Sequence, residues 1–83
     1  MIEYAKELGA VLRTFDPTEM RKFIEEHRYL YGKGYPELFL QNDDYFIRGM
    51  MAKMVMNRND MSQNDRNKAR AILYEMDWSE SIL

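Results

Sequence analysis

The fold of this chain is decided by one stretch of sequence, YFIRGMMAKMVM at residues 45–56. At about 100° per residue, one side of a helix here carries larger apolar side chains, namely Phe46, Ile47, Met50, Met51 and Met54. The opposite side carries Tyr45, Gly49, Ala52 and Met56, and only Arg48, Lys53 and Asn57 interrupt the circumference. A helix that is apolar all round is normally buried. In so short a chain, this helix must be the centre of a bundle or lend one side to a partner.

The composition is that of one small globular domain spanning residues 1–83. Of its 83 residues, 46% are hydrophobic, 31% are charged and 13% are aromatic, and the net charge is −2. This balance argues against intrinsic disorder, which goes with few aromatic residues and a high net charge. The sequence has no cysteine, which excludes disulfides, thiolate metal sites and thiol nucleophiles.

Nothing in the sequence predicts export or insertion into a membrane. The first residues, MIEYAKE, lack the basic region and apolar run of a signal peptide. No apolar run approaches the roughly 20 residues of a membrane-spanning helix. We therefore expect a cytoplasmic protein with no membrane partner.

Capping and turn residues divide the first half of the chain into two helices. The first is predicted over about residues 2–14, with an inward side formed by Tyr4, Leu8, Val11, Leu12 and Phe15. The segment Asp16-Pro17-Thr18-Glu19 predicts the start of the second: Asp16 as N-cap, Pro17 at the first helical position and Glu19 reaching back in a capping box. This helix should run to about Tyr31, because two glycines and Pro36 follow it.

The second half predicts a short turn and two further helices. A helical turn is expected at about residues 36–40, and Asn42, Asp43 and Asp44 are N-cap candidates for a third helix to about Arg58. Ser62 should cap a fourth helix, ending near residue 76 or 77, whose inward side is formed by Ala69, Ile72, Leu73 and Met76. Trp78, Ile82 and Leu83 should fold back over the others. The predicted fold is an all-α compact bundle of four main helices with a short helical turn between the second and third.

The sequence gives little support to catalysis. His27, the one histidine, lies in the apolar stripe of the second helix between Phe23 and Tyr31. It could be a general base in a pocket. The favoured interpretation is a buried or half-buried histidine bonded to a carboxylate, a hydroxyl or a backbone carbonyl, since no nucleophile lies within a turn of it. We therefore expect no enzyme and no catalytic residue.

Metal and cofactor sites are also not predicted. In the polar loop that starts at Asn57, Met61 and Ser62 stand where an EF-hand requires an oxygen ligand and a glycine. The segment Gly32-Lys33-Gly34 lacks the length and the ending of a phosphate-binding loop. The sequence therefore indicates a binding protein without a cofactor.

One functional hypothesis is that the third helix binds a protein partner or a second copy of the chain. Five of the eight methionines lie between Met50 and Met61, and methionine suits adaptable recognition of apolar surfaces. The candidate contact residues on this helix are Tyr45, Gly49, Ala52 and Met56, and a symmetric homodimer would cover them. Tyr29 and Tyr35, with Phe39, form a predicted aromatic patch at the glycine-rich turn. The chain would then be a small non-enzymatic regulator or inhibitor, unless the third helix is simply central.

The alternative is a weak DNA-binding regulator whose third and fourth helices form a helix-turn-helix-like pair. The candidate contacts to nucleic acid are Arg58, Gln63, Arg66, Asn67 and Arg70. The stretch from Arg48 to Arg70 holds six basic residues and only two acidic ones. The pI of about 5.3 argues against DNA binding, since DNA-binding domains are usually basic.

Overall fold

A computed structural model describes residues 2–30, 37 and 40–78 of the chain. They form four α-helices and no strand: α1 (Ile2–Leu12), α2 (Pro17–Glu26), α3 (Asp44–Met56) and α4 (Gln63–Glu75). A 3-10 turn at Arg28–Leu30 follows α2. Before α3, the backbone N–H of Gln41 donates to the Glu37 carbonyl at 2.9 Å. The predicted all-α fold is confirmed.

Side-chain caps begin three of the helices, as predicted. Asp16, Asp43 and Ser62 each accept a hydrogen bond from a backbone N–H two or three residues further on, at 2.9, 2.8 and 3.1 Å. Each bond satisfies a donor that the first turn of a helix leaves without a partner. One detail differs from the predicted capping box, because the N–H of Asp16 donates to the Thr14 hydroxyl at 3.1 Å instead of to Glu19.

The second helix is shorter than predicted, since α2 ends at Glu26 and not at Tyr31. His27 leaves the helix with φ −116° and ψ 20°, and its N–H lies 3.1 Å from the Phe23 carbonyl. The N–H of Leu30 then donates to the His27 carbonyl at 2.9 Å, which closes the tighter 3-10 turn. The helices α1 and α3 each end two residues earlier than expected, at Leu12 and Met56.

The third helix is the centre of the bundle and contacts α1, α2 and α4. Both of its apolar sides contribute buried residues, although Tyr45 and Phe46 at its start remain exposed. The buried residues of α3 are Ile47, Gly49, Met51, Ala52, Lys53 and Val55. The core contains four of them, Ile47, Met51, Ala52 and Val55, together with side chains from the other helices that include Leu12, Met20, Ile24, Ala69 and Leu73. Of the two readings that the sequence leaves open, the structure therefore shows the central helix.

The C-terminus of α4 folds back onto α3 through a Schellman motif. Asp77 adopts the left-handed conformation at φ 58°. Its N–H donates to the Tyr74 carbonyl at 3.1 Å, and the N–H of Trp78 donates to the Leu73 carbonyl at 2.9 Å. The indole of Trp78 then packs against Phe46, with 5.4 Å between ring centroids. The predicted return of Trp78 is confirmed, whereas Ile82 and Leu83 lie outside the described residues.

Candidate protein-binding groove

The four residues predicted to form a partner-binding side of the third helix do not form one accessible surface. Ala52 is fully buried and Gly49 is covered by Met76 and Trp78. Met56 is half-buried, whereas Tyr45 is 61% exposed at the start of α3. Small residues do allow close approach here, as the sequence indicates, but the approaching group is the end of α4 in the same chain.

Two of the five residues predicted to contact nucleic acid, Arg58 and Arg66, make hydrogen bonds within the fold. The Arg58 guanidinium donates to the Ala5 carbonyl at 2.8 Å and to both carboxylate oxygens of Asp60 at 2.9 and 2.8 Å. The Arg66 guanidinium donates to the carbonyl of Met56 at 3.2 Å and to that of Arg58. A cation at the last carbonyls of a helix is a favourable arrangement. These two arginines therefore connect α1, the end of α3 and the start of α4.

The hydrogen bonds at this corner also shift the pKa values of its ionisable groups. The hydrogen bond from Arg58 holds the pKa of the Asp60 carboxyl below its ordinary value and raises the pKa of Arg58. Hydrogen bonds from Ser62, and to a smaller extent the hydrogen bond from Arg13 at 3.2 Å, lower the pKa of Asp65.

The other three residues predicted to contact nucleic acid, Gln63, Asn67 and Arg70, are exposed on α4. The side-chain amide of Gln63 donates to the Asn67 side-chain oxygen at 3.0 Å, and Arg70 lies one turn further along the helix.

A groove of about 430 Å³ lies between the first half of α1 and the end of α2, and we call it the α1–α2 groove. The residues that line it are Glu3, Tyr4, Glu7, His27, Tyr29 and Leu30. Positions 3, 4 and 7 share one side of α1 because three- and four-residue spacings bring helical side chains together. The other wall consists of His27 and the 3-10 turn that follows it.

Aromatic rings run in sequence from the interior to the mouth of this groove. Phe23 is buried in α2, and its ring stacks on the His27 imidazole with 4.1 Å between centroids. The Tyr4 ring meets the His27 ring edge-on at 5.3 Å, and the Tyr29 ring is stacked beyond His27 at 6.2 Å. Tyr29 ends the series and is 78% exposed. Such ring contacts stabilise beyond simple burial of area, so they fix the wall of the groove.

His27 has the kind of environment that the sequence predicts. Its Nδ1 lies 2.8 Å from the Phe23 carbonyl oxygen, and its Nε2 lies 3.4 Å from a carboxylate oxygen of Glu7. Because a carbonyl can only accept, Nδ1 carries the proton in this arrangement. The side chain is half-buried between a backbone carbonyl and a carboxylate, and the described lining of the groove includes no serine or threonine.

An ion-pair cluster holds the 3-10 turn that carries Tyr29. Arg28 donates to the Glu25 carboxylate at 2.9 Å and also pairs with Glu37. The hydrogen bond from Arg28 keeps the pKa of Glu25 below its ordinary value, and both carboxylates raise the pKa of Arg28. The guanidinium is therefore occupied by two carboxylates outside the groove.

The sequence predicts only one residue of this groove as a contact residue. This residue is Tyr29, whereas Tyr35 and Phe39 of the same predicted patch lie outside the described residues. Glu3 and Glu7 look like the outer side of a surface helix, and Tyr4 looks like a core residue. Only the packing of α1 beside α2 brings these three to Tyr29.

A second groove of about 360 Å³ lies where α3 and α4 meet the end of α1. It is basic, because Arg13, Arg48 and Lys68 line it with only Glu75 as a carboxylate. Arg13 is held by Asp65, so its charge is already partly compensated. Phe15, Ala71 and Ile72 contribute apolar lining.

Within residues 2–30, 37 and 40–78, no cluster of three or more histidine or acidic side chains could hold a metal ion. In the same part of the chain, every helix is too short or too polar to cross a membrane. In comparisons with known proteins, no family model, no curated protein and no solved structure matches the chain.

Proposed function

We propose that this chain is a small non-enzymatic interaction protein, a regulator or inhibitor that docks on a larger cytoplasmic protein through the α1–α2 groove. The observation that supports this function is Tyr29, which is 78% exposed at the mouth of a concave site. Tyrosine is enriched among the residues that contribute most to protein interfaces. Leu30, 38% exposed beside it, adds apolar surface that a partner would cover.

The small surface of the chain limits the area that it can contribute to a protein interface. A protein interface of standard size takes about 800 Å² from each partner, and the whole chain exposes 5500 Å². The groove would therefore be the centre of the contact, and the outer sides of α1 and of the 3-10 turn would form its rim. Interfaces of this kind combine a central anchor with a polar border, and the glutamates of α1 supply such a border.

The experiment is a pull-down from a lysate of the producing cells with wild type, Tyr29→Ser and Tyr74→Ser. Tyr74 is the matched control, since it is 86% exposed on α4 and is not among the lining residues of the groove. We expect one protein to be retained by wild type and by Tyr74→Ser, lost with Tyr29→Ser and unaffected by nuclease. Equal retention by Tyr29→Ser, or release by nuclease, would contradict the proposal.

The two alternatives from the sequence have weaker support. A homodimer through the third helix would need Gly49 and Ala52 to be accessible to the second copy, but both residues are buried within the chain. A DNA-binding pair would have to use Gln63, Asn67 and Arg70 alone, because the other two predicted arginines hydrogen-bond to the backbone of the fold. Sedimentation at high micromolar concentration and the nuclease arm of the pull-down test these alternatives.

A further inference from the structure

The chemistry of the α1–α2 groove indicates which group of the partner would enter it. We propose that the groove binds an arginine side chain from a basic segment of the partner, between the rings of Tyr4, His27 and Tyr29 and the carboxylates of Glu3 and Glu7. This inference rests on the proposed docking function. It adds the chemical class of the ligand, which exposure of Tyr29 alone does not give.

Charge in the groove favours a cation. Two of the six lining residues are glutamates, and none is a lysine or an arginine. Within the described part of the chain, the Glu3 carboxylate makes no hydrogen bond and no ion pair, and Glu7 has only the His27 ring at 3.4 Å. The nearest arginine along the chain, Arg28, is paired with Glu25 and Glu37. Within the described residues, an incoming guanidinium would therefore meet two carboxylates that no lysine or arginine pairs with.

The rings favour arginine over lysine. A cation over the face of an aromatic ring is attracted by the ring electrons, and a planar guanidinium also stacks on the ring. The exposed face of Tyr29 offers this surface next to Leu30, which can contact the aliphatic part of the same side chain. A guanidinium can also donate two parallel hydrogen bonds to one carboxylate, which an ammonium cannot do.

The test is an NMR titration of the full ¹⁵N-labelled chain with a defined probe. The probe is the acetylated and amidated peptide Gly-Arg-Gly-Leu-Arg-Gly, and its matched control carries citrulline, the neutral isostere, in place of both arginines. We expect backbone shifts at Glu7, His27 and Tyr29, with at least roughly fivefold weaker binding of the citrulline peptide. A lysine version should bind less tightly than the arginine version.

Variants of the chain provide the second arm of the experiment. Glu3→Gln and Glu7→Gln should each weaken binding of the arginine peptide by about two- to fivefold, and more at low salt than at high salt. Glu26→Gln is the control, because it removes an exposed carboxylate of α2 that does not line the groove. Equal binding of both peptides, or shifts confined to residues outside the groove, would overturn the inference.

Failure of this inference can be told apart from failure of the docking function. If Tyr29→Ser loses the natural partner while the arginine peptide leaves the groove unshifted, the guanidinium assignment is wrong and docking stands. If the peptide binds in the groove while Tyr29→Ser still retains the partner, docking through the groove is wrong.

Discussion

Gly49 and Trp78 approach each other so closely that no side chain fits between them. A Cβ atom on Gly49 would lie 2.7 Å from Cζ3 and 2.8 Å from Cη2 of the Trp78 indole, and 2.6 Å from Cε of Met76. The Schellman motif at the end of α4 sets this position of the indole, because it turns the chain back immediately before Trp78. A small residue in α3 and a left-handed residue after α4 are thus parts of one contact.

We expect Gly49→Ala to destabilise the fold by about 1 kcal/mol. Alanine gains about 1 kcal/mol of helix propensity over glycine, but overpacking a rigid neighbour costs about 1–3 kcal/mol, and the indole ring cannot bend away as the Met76 side chain can. Urea unfolding gives the free energy, and the fluorescence of Trp78, the one tryptophan of the chain, reports the displaced ring.

The matched control for this variant is Gly9→Ala in α1. A Cβ there would lie 3.1 Å from Nη2 of Arg58, the end of a flexible side chain. The guanidinium, which donates to Ala5 and Asp60, has to give way by only a few tenths of an ångström, and alanine gains helix propensity over glycine. Gly9→Ala should therefore be neutral or stabilising. A Gly49→Ala protein that is as stable as Gly9→Ala, with unchanged fluorescence, would contradict the contact.

Asp77→Gly should stabilise the chain by about 0.5–1 kcal/mol. Asp77 has φ 58°, which glycine adopts without the steric cost of a Cβ. The control is Asp77→Ala, which removes the same negative charge from the C-terminus of α4 but keeps the Cβ. Thermal unfolding of the three proteins separates these effects, and an equal gain from both variants would assign the effect to charge and not to φ.

Arg66→Ala should cost about 1–2 kcal/mol, because it leaves the carbonyls of Met56 and Arg58 without their donor. Lys68→Ala is the control, since Lys68 is exposed and no ion pair of the described chain includes it. Chemical denaturation of both variants and of wild type gives the free energies of unfolding to be compared. If Arg66→Ala unfolds like wild type, the arginine is not structural and the nucleic-acid interpretation regains a contact residue.

Acid should destabilise the corner where α1, α3 and α4 meet. Hydrogen bonds from Arg58 and Ser62 lower the pKa values of Asp60 and Asp65 in the folded state. A lowered folded pKa stabilises above the ordinary aspartate value of about 4, and this contribution is lost as the pH falls through the folded value. The free energy of unfolding of wild type should therefore fall below about pH 4, and Asp65→Asn should reduce this slope. An unchanged slope would show that Asp65 is not coupled to folding.

The sequence predicts local features well and long-range ones poorly, for physical reasons. The caps at Asp16, Asp43 and Ser62 depend on bonds within three residues, so they can be recognised without the fold. The apolar stripe of the second helix continues in the sequence through His27 to Leu30. A 3-10 turn aligns side chains three residues apart much as an α-helix does, so periodicity could not locate the end of the helix at Glu26.

The candidate site shows the same limit. Ala52 and Gly49 allow close approach by any helix, and only tertiary structure shows that the end of α4 in the same chain takes that place. Glu3 and Glu7 resemble ordinary surface residues of α1 until the turn after α2 sets Tyr29 beside them. The chemistry of the groove is therefore a property of the packing of α1 against α2.

Photo-crosslinking in cells tests docking through the α1–α2 groove most directly. The photoreactive amino acid p-benzoylphenylalanine would replace Tyr29 in one protein and Tyr74 in another, since both positions are strongly exposed and only the first lines the groove. We predict a discrete covalent adduct with one protein from position 29 and none from position 74. Adducts from position 74 alone, or the same adduct from both positions, would contradict docking through the groove.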